Sequence, residues 1–189
     1  MSAVWQVPPL PAPDPETVLR YARGGHSAGV DALLGEVIRE GGPLVAPRLC
    51  FGIREIRVSP EEVAFGDLTA KSRDLARHLA GYRRAVLFAA TVGAGADRAI
   101  SRAERQSPAR ALLLDAFFSE RVEALCDLFT AQYNDPCRRF SAGYGDLPLE
   151  FQREIFRVLD CPRRIGVSLG DNLLMVPTKS VTAVIGVKE

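Results

Sequence analysis

The pattern that most limits how this chain can fold is the long helical repeat over residues 108–133. Leu112, Leu113, Ala116, Phe117, Val122, Leu125 and Leu128 recur at helical spacing. Pro108 suits a first helical turn, and Asp135-Pro136 breaks the pattern. A helix of this length needs a second layer to cover its apolar side. The run Ala85-Val-Leu-Phe-Ala-Ala90 supplies one, because apolar residues without polar alternation mark a strand buried on both faces.

Further elements surround these two. Asp14-Pro15-Glu16 combines a capping oxygen, an N-terminal proline and an early acid, and predicts a short helix to about Arg23. Val30, Leu33, Leu34, Val37 and Ile38 predict a second helix over residues 27–40, stopped by Gly41-Gly42-Pro43. Residues 48–59 read as one strand whose apolar phase changes between Ile53 and Ile56, the mark of a bulge or a boundary. Val63-Ala64-Phe65 predicts a short strand, and residues 72–79 and 96–104 predict helices. Asp146 with Pro148 reads as the start of a helix to Leu159, and residues 165–169 and 181–187 read as strands. Helices and strands mix without regular alternation, so the expected class is α+β in a single domain, preceded by an arm over residues 1–15 that carries five prolines between Val7 and Pro15.

Composition removes several functions. The net charge of +1 denies the chain the broad basic field of non-specific nucleic-acid binding. The run over residues 85–92 is far shorter than the roughly 20 residues that span a bilayer. With no basic, apolar leader at the start, the expected location is the cytoplasm, with Cys50, Cys126, Cys137 and Cys161 reduced. Their spacing gives no zinc pattern, so no metal site is expected. His26 and His78 lie in no recognisable nucleophile motif, and no catalytic set is expected from them. Of 24 basic side chains only Lys71, Lys179 and Lys188 are lysines, and arginine forks suit planar anions.

Two segments can face a ligand. Thr91-Val-Gly-Ala-Gly95 joins a predicted strand to a helix, either as a tight turn or as an anion-facing one, but its spacing fits neither a dinucleotide fingerprint nor a P-loop. Residues 139–148 are more unusual. They combine the Arg139 guanidinium, small residues that allow a close backbone approach, glycines at 143 and 145, and Tyr144.

Arg139-x-x-x-Gly143-Tyr144, with Pro148 just beyond, resembles the Arg-x-x-x-Gly-Tyr signature of the S-adenosylmethionine-binding activation domain of cobalamin-dependent methionine synthase. A second match follows at Met175-x-Pro177-x-x-Ser180-Val181, and a weaker one at residues 86–93. Order and spacing agree over residues 84–187, and residues 16–189 are identified with the activation-like domain. The resemblance implies a central, largely antiparallel twisted sheet flanked by helices. It implies that Arg139 pairs with the ligand carboxylate, that Ser141 and Gly143 contribute main chain, and that Tyr144 lies against the ligand. Glu123 aligns with a ligand-binding glutamate, with Glu120 as the fallback. A carboxylate there is sensible, because the sulfonium and ammonium of the ligand are cationic. Asp67 and Asp74 are candidates for a further acidic contact. Where multidomain members carry a Cys-Pro-x-His-like stretch after Gly-Tyr, this chain has Gly145-Asp-Leu-Pro-Leu-Glu150.

The implied role is a subunit that binds S-adenosylmethionine and supports reductive remethylation of the cobalamin of a methionine synthase. The cobalamin is held by a separate corrinoid-binding protein, and a flavoprotein is the implied reductant. The chain itself is an activation component rather than a complete catalyst. The alternatives are an accessory of another corrinoid methyltransferase, or a binding and sensing module without methyl delivery.

Overall fold

The computed structural model describes residues 2–188. Its centre is a four-stranded sheet built from β1 (Ser2–Val4), β2 (Arg48–Glu55), β6 (Arg84–Thr91) and β9 (Ser180–Val187), in the order β1-β2-β6-β9. Every neighbouring pair is antiparallel, with Leu49 opposite Ala90 and Phe88 opposite Ala183. The class is α+β.

Alternation along β6 explains its unbroken apolar run. Val86, Phe88 and Ala90 face one side, where they meet Leu125, Cys126 and Phe129 of the long helix α5 (Pro108–Thr130). Ala85, Leu87 and Ala89 face the other, against α6 (Phe151–Leu159) and α7 (Cys161–Ile165). Both faces are dry, so no position from Ala85 to Ala90 asks for a polar side chain. A helical layer of α1 (Pro15–Tyr21), α2 (Ala28–Gly41) and α4 (Gly95–Glu104) packs on the first half of α5 through Val18, Leu34, Val37, Ala96 and Phe117. Among the described residues no helix is long and apolar enough to cross a membrane.

Where the structure departs from the sequence reading, each departure has an identifiable physical cause. The phase change after Ile53 is a change of sheet. The backbone N–H of buried Ile56 bonds to the Arg83 carbonyl at 2.9 Å, and the chain leaves β2 for β3 (Arg57–Val58) of a separate sheet with β4 (Glu62–Phe65) and β5 (Leu68–Lys71). The long helix ends at Thr130, where the amides of Gln132 and Tyr133 bond only three residues back. Asp146 does not start α6. Its carboxylate instead accepts from the amides of Arg73 and Asp74 and from Ser72 Oγ at the head of α3 (Arg73–His78). The strand expected over 165–169 contracts to β7 (Ser168–Leu169), paired with β8 (Met175–Val176), because α7 runs to Ile165 and turns at Gly166 with φ of 71°.

The proline-rich segment lies on the domain. After β1, the Trp5 ring sits 5.2 Å from Phe129. Arg121 donates to the carbonyls of Pro11 at 2.6 Å and Ala12 at 3.4 Å. The same buried guanidinium pairs with buried Glu120, whose carboxylate also accepts from the Asp14 amide.

Candidate functional site

Glu123, Asp127 and Thr130 stand four and three residues apart on α5, so they share one helical face. Opposite them runs the segment 137–140, which lies along the free edge of β9. The Cys137 amide bonds to Gly186, and Phe140 and Val184 exchange two backbone bonds at 2.9 and 2.8 Å. Arg139, between these anchors, reaches back to α5. Its guanidinium donates to Glu123 Oε2 at 2.5 Å and to Asp127 Oδ1 at 2.7 Å. Burial alone would lower the Arg139 pKa, but the groups that face it, Glu123 and Asp127 among them, outweigh this and raise it above its ordinary value. His78 of α3 supports the same segment, with Nε2 2.6 Å from the Arg138 carbonyl and its ring 5.2 Å from that of Phe140.

The chain then folds into a compact turn. The Tyr144 amide donates to Ser141, Gly143 to Leu147, and Leu147 to Tyr144, all at 2.9–3.1 Å. Gly143 has φ of 88° and Gly145 φ of 52°, conformations that a side chain resists. At Gly145 space forbids one as well, since a Cβ would lie 2.2 Å from Asp74 Oδ2. That carboxylate accepts from the Asp146 amide at 3.2 Å, while Asp146 caps α3 in return. The head of α3 and the glycine turn therefore hold each other. The hydrogen bond from Ser72, followed by those from the α3 amides, keeps the Asp146 carboxyl below its ordinary pKa.

Between α5 and this turn lies a cavity of about 420 Å³. Glu123, Arg139, Ser141 and Tyr144, four of the residues singled out from sequence, line it together. Tyr144 is 58% exposed at its edge, with its ring 6.1 Å from Phe140. Gly143 stands behind the lining and shapes the turn. Glu120 points elsewhere, into its buried pair with Arg121. Asp74 braces the turn from outside, and Asp67 lies in the two-residue connection between β4 and β5. Asp127, Thr130, Arg138 and Val181 also line the cavity and were not foreseen. The spacing of Asp127 from Glu123 was the available signal. Burial pushes the Cys126 thiol up to about 12, so it stays protonated beside the site.

The second matched motif acts as scaffold. Ser180 Oγ donates to the Pro177 carbonyl at 2.7 Å and lies 2.9 Å from Thr91 Oγ1. Thr178 bonds through its amide and hydroxyl to Asp97 of α4, and Lys179 pairs with Asp115 of α5 at 2.7 Å. These contacts fix the start of β9, which brings Val181 into the cavity wall.

No protein-family profile and no curated protein matches the sequence. Among solved structures the chain is similar to the MetH reactivation domain bound to AdoHcy, with a TM-score of 0.59 over 90% of this chain and 68% of that one. The two share a fold. Their sequences are 15% identical, so the likeness extends to architecture and leaves the chemistry of the cavity to be argued from its own residues.

Proposed function

We propose that this chain is a reactivation-type module that binds S-adenosylmethionine in the cavity between α5 and the 139–147 turn. The observation that carries the reading is the apposition of one guanidinium and two carboxylates in that cavity. The amino-acid end of the ligand is a zwitterion, and its sulfonium adds a second cation. Arg139 takes the carboxylate as a fork, while Glu123 and Asp127 take the cations. The internal ion pair thus exchanges partners with a ligand of matching charge. Gly143 uses its amide within the turn and holds the main chain at Ser141 close to the ligand. Tyr144 lies over the ligand from the rim. A volume of about 420 Å³ is within the range of small-molecule sites.

When bound, the ligand supplies an activated methyl group for the reduced cobalt of a cobalamin carried by a partner chain. The residues here bind and orient that ligand, and the exposed edge at Tyr144 leaves it reachable by the partner. The partner is a corrinoid-bearing methionine synthase protein, with a flavoprotein as electron donor, in the cytoplasm. Calorimetric titration tests the binding step. Arg139, with 24% of its side chain exposed, should lose roughly 10–100-fold in affinity as Arg139→Ala, an intermediate between buried and solvated pairs. Wild-type protein that gives no heat with millimolar S-adenosylmethionine overturns the reading. Return of a methylcobalamin spectrum to an inactive corrinoid partner, dependent on this chain, tests the delivery step.

A further inference from the structure

A second cavity, of about 510 Å³, opens where the two sheets meet. Its walls come from the end of β2, the start of β6 and the β3–β4 hairpin. Arg57, Arg83 and Arg84 all line it, over a floor of Ile56 and Ala64. Among the described residues, none of the three has a carboxylate within 4.0 Å, although Glu55 lines the same cavity. Other guanidiniums that lie against the fold have partners: Arg110 pairs with Glu36 and Glu40, Arg121 with Glu120, and Arg139 with Glu123 and Asp127, while Arg54 donates to the Ile53 carbonyl. The backbone brings the three residues to one cavity. Arg84 begins β6 opposite Glu55, and Arg83 is held by the bond from Ile56 at the point where the chain changes sheet. Like charges that border one hollow favour an anion within it.

We propose that this cavity binds a phosphoryl group carrying two or more negative charges. Three guanidiniums against one carboxylate leave a local excess of two positive charges, in a chain whose net charge is only +1. Planar forks match the oxygens of phosphate two at a time, and the partly buried position of Arg84 weakens competition from water. A phosphate monoester and a pyrophosphate share this chemistry. The site does not depend on the cavity beside α5, and no residue lines both.

Titration of the full chain with inorganic pyrophosphate and, separately, with methyl phosphate tests the proposal. Saturable binding of at least one, with a dissociation constant of about 1 mM or tighter, is expected. The stronger binder shows whether one phosphoryl group or two are held. Arg57 and Arg83 are exposed, so Arg57→Gln and Arg83→Gln should preserve the fold, and each should weaken binding about tenfold. S-adenosylmethionine titrations of the same variants should match wild type, which separates this site from the other and serves as the control for folding. Absence of saturable binding by wild type, or wild-type affinity in both variants, overturns the proposal.

Discussion

Glu123→Gln tests the electrostatic logic of the α5 cavity, because it removes one charge and keeps the shape. A sulfonium about 5 Å from the carboxylate gains roughly 0.8 kcal/mol in a water-like medium and about 3 kcal/mol at the effective dielectric of a partly buried site. Glu123 is 37% exposed and lies between these limits. A loss near 2 kcal/mol, about 30-fold, is expected for S-adenosylmethionine. The substitution also releases Arg139 from one partner and weakens the hold on the ligand ammonium. Both effects act equally on S-adenosylhomocysteine, which has the same amino-acid end and a neutral thioether. The ratio of the two affinities therefore isolates the sulfonium. Titrating both ligands into both proteins at low ionic strength should show that ratio falling about tenfold or more in the variant. A ratio equal to that of wild type would refute the claim that Glu123 faces the methyl-bearing sulfur.

Other expectations concern the supports of the site. Glu120→Ala leaves the buried Arg121 guanidinium without its carboxylate and should cost about 3–5 kcal/mol, read from urea unfolding. Gly145→Ala combines left-handed backbone with a Cβ driven into Asp74, so it should destabilise by more than about 1 kcal/mol and weaken S-adenosylmethionine binding in calorimetry. The Asp146 carboxyl has a folded pKa below its unfolded value, so its contribution is present above about pH 4 and fades as pH falls through the folded value. Unfolding midpoints of Asp146→Asn and wild type should accordingly differ at neutral pH and converge in acid.

What the sequence disclosed follows the range of the interactions involved. The β6 run and the α5 repeat were readable because local periodicity records which side of an element is dry. Ser72, Ser107 and Asp14 cap helices as residues of their type do, and α1, α2, α3 and α5 begin close to where the sequence places them. Asp146 misled because a capping carboxylate can serve a helix 72 residues away as readily as the next one. The sheet change at Ile56 left a phase slip in the sequence, but its cause is a bond to Arg83, which no local window contains. At the site, Arg139, Ser141 and Tyr144 stood together in a motif. Asp127 and Val181 are brought to them by the packing of α5 and β9.

The bonds that hold Arg139 also finish the central sheet. One lateral border of that sheet is β1, and the other is β9, whose outward amides and carbonyls are met by residues 137–140. If this segment peeled away to admit a bulky ligand, a bare strand would be offered to any neighbouring chain. On the proposed function, ligand entry is thus tied to colloidal behaviour: a guest would have to be received by side-chain motion in the hollow, with the margin of the sheet kept shut.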